Sequence, residues 1–176
     1  PNVTLVGIIN ADASLNIPDY QSNERTFELL CQASGRSGRG EKKGEVFIQT
    51  YNPETPIFTF VKNHDYKKFF LYEMNIRKTL KYPPYYYLCF LKVKSKDYKQ
   101  AIDEARKIKA FLDKNLTQDY IVLGPATANM FLVNGVYNFE IYIKYKKEEK
   151  LYQVLKELDK LMLVNSKVQL DIDFLE

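Results

Sequence analysis

Residues 29–46 read LLCQASGRSGRGEKKGEV: an apolar run, then a turn with four glycines and two arginines, Arg36 and Arg39. A guanidinium stays charged at any working pH and presents five donors in a rigid fork. Glycine lets a backbone approach a ligand closely and adopt positive φ. Arginines at i and i+3 on such a turn can aim at one anion, and phosphate is the obvious one. An arginine delivered to a γ-phosphate during hydrolysis accelerates the reaction by about 10³–10⁵. The same pattern also fits a glycine-capped helix followed by a solvated loop.

A second group of candidates follows Pro83 and Pro84. Lys92, Lys94, Lys96 and Lys99 lie along a strand and the start of the next helix, and the basic load continues through Arg106, Lys107 and Lys109. Tyr82, Tyr85, Tyr86, Tyr87 and Phe90 interleave with it. Lysines track phosphates with steep salt dependence, and bases stack on exposed aromatics at about 1–3 kcal/mol each. Alternate tyrosines packing a sheet against a helix would read the same way. The segment Val133–Phe139 carries no charge, which speaks against a nucleic-acid role for that hairpin.

The other polar candidates read as structural. His64, the only histidine, has no base or metal partner in sequence and reads as a linker residue. Asp171 and Asp173 alternate on a closing strand, facing solvent or lysines. Cys31 and Cys89 each sit in an apolar segment, as buried free thiols of a reducing compartment. They are too few for a structural zinc site, which takes about four ligands.

The arginine turn needs elements on both sides. VTLVGIIN (Val3 to Asn10) is a β-branched apolar run, expected as a buried strand of a parallel sheet. ADASLNIPDYQS reads as a loop. A helix is expected from Ser22 or Asn23, with Phe27, Leu30, Cys31 and Ser34 on one face and Gly35 ending it. GEVFIQTY gives a second strand with Val46 and Ile48 on one face, completing a strand–helix–strand unit with a right-handed crossover. Residues 57–80 are expected as two helical pieces broken near Asn63–Asp65, stopped by the paired prolines.

Beyond the prolines the pattern is regular. Strands are expected near 86–94, 120–124, 138–146 and 168–174, and helices at 97–115 and 148–163. The first helix points Ala101, Ala105, Ile108 and Leu112 inward; the second, Leu151, Val154, Leu155, Leu158, Leu161 and Met162. The order β-α-β-β-α-β is the split βαβ plan, an open sheet with two helices on one face.

The chain's 176 residues fit one ordinary domain or two small ones, and 45% apolar with 27% charged residues suits a folded protein with a real core. Its net charge of +4 is concentrated: residues 62–114 carry fourteen basic and six acidic side chains, which suits a phosphate-backbone partner. No run of about 18 apolar residues occurs, so no membrane span is expected. The opening PNVTLVGIINAD carries no basic leader, so no signal peptide is expected, and a start on Pro1 suggests a piece of a longer protein.

Gln32-Ala33-Ser34-Gly35-Arg36-Ser37-Gly38-Arg39 resembles motif VI of superfamily 2 helicases, Q-x-x-G-R-x-G-R, at all five defining positions. Its flanks, with the later LKYPPYYY, YIVLGPATA, YNFEIYIKY and VQLDIDF, resemble the primosomal protein N-prime family of bacterial replication-restart DNA helicases over essentially the whole chain. The resemblance implies the end portion of a second RecA-like lobe at 1–51, a helical linker at 52–84 and a ribosomal-protein-like βαββαβ C-terminal domain at 85–176. It implies that Gln32, Gly35, Arg36 and Arg39 meet ATP bound mainly by the other lobe, with Arg39 or Arg36 as the catalytic arginine. Lys92, Lys94, Lys96, Lys99 and Tyr86 are the candidate DNA contacts.

The same resemblance implies an ATP- and Mg²⁺-dependent 3′-to-5′ helicase acting on branched and single-stranded DNA. Single-stranded-DNA-binding protein and primosome proteins would be its partners, in the bacterial cytoplasm at the nucleoid. No GxxxxGK[ST] loop and no Asp-Glu-x-His strand end occurs here, and the family's cysteine-rich structural zinc module is missing. This chain by itself is therefore expected not to hydrolyse ATP. The alternatives are a free-standing nucleic-acid-binding βαββαβ module without enzymatic activity, or a different superfamily 2 enzyme; the latter leaves residues 80–176 unexplained.

Overall fold

A computed structural model of the protein describes residues 3–37, 44–162 and 168–175. It divides into two units, residues 1–79 and 80–176.

In the first unit, β1 (Leu5–Ile8) and β2 (Glu45–Ile48) pair in parallel, Leu5 opposite Glu45 through Ile8 opposite Ile48. Between them lie α1 (Asp12–Leu15), a short helix where only a loop was expected, and α2 (Ser22–Ser34). Period-two alternation sorts the strand side chains. Ile8 and Ile48 pack toward Phe27 and Leu30 of α2, while Leu5 and Phe47 on the other face are exposed.

Next come α3 (Pro56–Lys62) and α4 (Tyr66–Leu80), whose last residue falls in the second unit. Pro56 starts α3 where a missing N–H does no harm, and Thr55 before it is extended. The expected break falls where His64 takes a left-handed φ of 51°. The expected linker at 52–84 is not a separate segment. Ile57, Val61 and Phe69 share the core of Phe27 and Leu30, and the rings of Phe27 and Phe69 stack at 4.1 Å. The boundary between units therefore lies at 79/80, because the apolar stripes of α3 and α4 have their burial partner in α2.

The second unit runs β3 (Tyr87–Ser95), α5 (Tyr98–Asn115), β4 (Ile121–Val133), β5 (Val136–Tyr145), α6 (Glu149–Met162) and β6 (Gln169–Leu175). The strands lie in the order β4-β5-β3-β6, every pair antiparallel, which is the split βαβ arrangement. Asp97 caps α5, its Oδ1 accepting the Gln100 amide at 2.9 Å.

The expected inner stripe of α5 is buried in full. On α6, Leu151, Val154, Leu155 and Leu158 are buried, but Leu161 at the last turn is exposed. They meet Cys89, Leu91 and Val93 of β3 and Phe139, Ile141 and Ile143 of β5. The register puts Leu88, Phe90, Lys92 and Lys94 on the opposite face, across from Lys144, Tyr142, Glu140 and Asn138.

Strand β4 is far longer than the expected 120–124. Gly124 looks like a strand end in sequence. In the structure it takes φ +100° and an added Cβ would lie 2.7 Å from the Glu140 carbonyl, so only glycine fits there. The pairing shifts register between Leu123 and Ala126 and resumes: the glycine makes a bulge in the strand.

Candidate functional site

Helix α2 carries the glycine–arginine turn at its C-terminal end. Its N-terminal half is anchored: Thr26 is fully buried, and Asn23 donates from Nδ2 to Glu73 Oε2 at 3.0 Å. At the far end the chain continues to coil. The Gly35 amide donates to the Cys31 carbonyl at 2.9 Å, the Arg36 amide to Ala33 at 3.1 Å and the Ser37 amide to Ser34 at 3.3 Å. Ser37 Oγ also donates to the Ser34 carbonyl at 3.3 Å.

Gly35 does not take the left-handed conformation usual for a helix-ending glycine: its φ is −70° and its ψ −2°. The backbone conformation here suits any residue. Gln32, Gly35 and Arg36 are all exposed at this end of the helix. Among the described residues no carboxylate lies within 4.0 Å of the Arg36 guanidinium. Gly38 and Arg39 lie outside the described residues.

The five candidate DNA contacts are not brought together. Lys92 sits in register between Glu140 of β5 and Asp171 of β6. Lys94 pairs with Asp171, whose other oxygen accepts Gln169 Nε2 at 2.9 Å. That lysine's hydrogen bond holds the Asp171 carboxyl below its usual range, with Gln169 adding to it against the opposing effect of burial. Lys96 and Lys99 are exposed around the start of α5, where Lys94, Lys96, Asp97, Gln100 and Gln169 help line an open cleft of about 480 Å³. Tyr86 precedes the other end of β3, whose Tyr87 lies about 23 Å from Lys94 at the rise of an extended strand.

The basic load on α5 is largely balanced within the helix: Lys107 pairs with Glu104 at 3.0 Å, Lys109 with Asp113, and Arg106 lies 3.8 Å from Asp103. The sequence block of positive charge is therefore not a continuous cationic strip.

A different group converges where the Tyr82–Tyr86 segment meets the end of β5. The Lys144 ammonium is buried, donates to the Leu80 carbonyl at 2.7 Å and lies 3.6 Å from the Tyr82 ring centroid. Burial, and then the positive charge of Lys81, pull its pKa below the usual lysine value. Tyr86 has Lys146 Nζ at 4.8 Å and Lys81 Nζ at 5.7 Å from its ring centroid. The alternation of Tyr142, Lys144 and Lys146 against Ile141, Ile143 and Tyr145 was visible in sequence; the meeting with Tyr82 and Tyr86 depends on tertiary pairing and was not.

The remaining candidates are structural. Cys89 is fully buried and its thiol is pushed up to about 12 by desolvation and the nearby Asp173; Cys31, expected as buried, is half-buried, and its thiol is raised by desolvation. Among the described residues no three His, Cys, Asp or Glu side chains could hold a metal ion, and no helix is long and apolar enough to cross a membrane.

Residues 78–175 match the family described as Primosomal protein N C-terminal domain. Over 158 residues the chain is 44% identical to Replication restart protein PriA of Bacillus subtilis (strain 168), covering 90% of this chain and 20% of the relative. The protein of the same name from Synechocystis sp. is 37% identical over 97% of this chain and 20% of the relative. That from Thermotoga maritima is 34% identical over the full chain and 23% of the relative. The chain thus spans about a fifth to a quarter of these relatives' length.

Proposed function

The chain belongs to the replication restart protein family of the primosome, and from that membership we propose that it is the C-terminal part of an ATP-dependent 3′-to-5′ DNA helicase that restarts stalled forks. The observation that carries this is the arginine turn. In a chain similar to these relatives along nearly its whole length, Gln32 and Arg36 stand exposed at the C-terminal end of a helix whose other end is anchored.

The β1-α2-β2 unit would be the closing portion of a RecA-like lobe. Its parallel strand pair leaves Leu5 and Phe47 exposed, and parallel sheets are normally covered on both faces. ATP and Mg²⁺ would be held mainly by parts of the protein beyond this chain, as would the structural zinc; the metal would neutralise phosphate charge. The chain's own part would be to complete the nucleotide pocket. The Gln32 amide would hydrogen-bond the nucleotide. The guanidinium groups of Arg36 and Arg39 would neutralise charge on the γ-phosphoryl oxygens as it transfers to water.

The second unit would contact branched and single-stranded DNA. Lys96 and Lys99 are the exposed members of the expected set, while Lys94 is paired with Asp171 and Lys92 stands in register with Glu140 and Asp171. Single-stranded-DNA-binding protein and primosome proteins are the proposed partners, in the cytoplasm.

The test compares the complete protein with its Arg39→Ala variant in a DNA-stimulated ATPase assay. Hydrolysis falls by about 10³ with DNA binding retained, the scale of losing an arginine finger. Wild-type hydrolysis in that variant overturns the role of the turn. The 176-residue chain by itself is expected to show no Mg²⁺-dependent hydrolysis in the same assay.

A further inference from the structure

Three ammonium groups of the second unit have carboxylate partners: Lys94 meets Asp171, Lys107 meets Glu104 and Lys109 meets Asp113. Lys81, Lys144 and Lys146 do not. Among the described residues no carboxylate lies within 4.0 Å of any of the three. They face the rings of Tyr82 and Tyr86 and the Leu80 carbonyl instead. A π face or a carbonyl dipole attracts a cation but leaves its charge uncancelled.

Lys144 shows the consequence. It is buried, it feels Lys81 as a like charge, and its positive form is disfavoured. An anion placed over this corner would offset both effects by favouring the charged ammonium. Lys81 and Lys146 are exposed and sit near one ring, Tyr86, from positions far apart in sequence. Tyr85 and Tyr87, on either side of it, are 38% and 40% exposed, which leaves ring surface for a flat ligand group. Anion and flat group together describe a nucleotide strand, whose phosphates seek lysines and whose bases stack on aromatics.

We propose that Lys81, Tyr86 and Lys146, with Lys144 beneath them, form a phosphodiester-binding site for single-stranded DNA at the Tyr87 end of β3. The proposal rests on the reading of the second unit as a DNA-contacting part. It moves the main contact away from Lys94, which Asp171 pairs, and from Lys92, which stands in register with Glu140 and Asp171.

The experiment measures fluorescence anisotropy of a labelled oligothymidylate with the 176-residue chain, from about 50 to about 200 mM salt. The Lys81→Gln/Lys146→Gln variant loses about tenfold in affinity at the low-salt end, and its log–log salt slope becomes shallower by about 1.4, two lysines at about 0.7 each on single strands. A charge-matched control, Lys150→Gln/Lys160→Gln on α6, binds as wild type does. Both pairs are exposed, and denaturation midpoints confirm that all variants fold.

Equal affinity of wild type and Lys81→Gln/Lys146→Gln overturns this site while leaving a DNA-binding second unit intact. Absence of binding by wild type overturns that broader reading and the site with it. Inorganic phosphate at constant ionic strength displaces the strand no better than chloride. Displacement by millimolar phosphate would show a simple anion site and overturn the assignment to DNA.

Discussion

Arg77 of α4 donates from Nη2 to Glu24 Oε2 of α2 at 2.7 Å, and from Nε to Glu73 Oε1, one turn back on its own helix, at 2.9 Å. Arg77 and Glu73 are both buried, and the second Glu73 oxygen accepts Asn23 Nδ2. The network ties α4 to the anchored end of the helix that carries the arginine turn. Breaking such a pair from one side is worse than removing it whole, because the remaining ion stays buried without a partner. Arg77→Met keeps much of the apolar stem and strands Glu73, so the first unit loses about 3–5 kcal/mol by chemical denaturation. Adding Glu73→Gln restores a large part of that. An unchanged midpoint for Arg77→Met would show that the pair contributes nothing.

Gly35 separates the needs of the fold from those of a ligand. Its backbone is right-handed helical, and an added Cβ would meet the Cys31 carbonyl at 3.4 Å, an ordinary contact. Among the described residues no backbone angle or close contact demands glycine there. Gly35→Ala should leave stability unchanged or raise it by about 0.4–1 kcal/mol, since alanine loses less backbone entropy on folding. In the complete protein the same methyl group stands beside Arg36 where the nucleotide would come, and DNA-stimulated hydrolysis drops. Melting temperature and turnover of this one variant are expected to move apart. If turnover matches wild type, the glycine has no part in the pocket.

The elements of the second unit were readable because burial there is one-sided. Ala101, Ala105, Ile108 and Leu112 recur at helical spacing, and Phe139, Ile141 and Ile143 at strand spacing, each facing one core. Strand β4 was cut short because Gly124 with Pro125 is punctuation in sequence and a bulge in space. Charge was the least readable quantity. Lys94 and Asp171 are far apart in the chain, and only the β3–β6 register makes one cancel the other. Conversely Lys81 and Lys146 gather at Tyr86 through tertiary pairing. The linker expectation failed for a related reason: the stripes of α3 and α4 were visible, but not that α2 would cover them.

The two thiols report on the two units separately. Cys89 is fully buried with its pKa at about 12, so at pH 8 only about 10⁻⁴ of it would be thiolate even where reagent could reach it. Cys31, on α2, is half-buried. Thiol labelling under native conditions therefore modifies Cys31 first, and Cys89 reacts only when the second unit unfolds. The two-stranded sheet of the first unit leaves large apolar side chains in water, so rising denaturant should release Cys31 at a lower concentration than it releases Cys89. Simultaneous release of both thiols would show that the chain unfolds as one cooperative body.

Asp12 gives the first unit an acid-sensitive joint. Its side chain is buried at the start of α1, accepting the Tyr51 amide and the Thr50 hydroxyl, each at 2.8 Å. The Tyr51 amide, with help from Thr50 and against the opposing effect of burial, holds the carboxyl below its ordinary value of 3.8. A carboxyl with a folded pKa below its unfolded one binds protons more tightly in the unfolded chain. Its contribution is fully present above the unfolded value and is lost as pH falls through the folded one. The loss thus begins near pH 4 and continues downward. Asp12→Asn keeps an acceptor oxygen but cannot titrate, so its stability should fall less steeply than that of wild type between about pH 5 and pH 2. Denaturation curves across that range measure both slopes. Parallel slopes would mean that Asp12 titrates alike in folded and unfolded chains, and that the Thr50–Tyr51 cradle does not hold its charge.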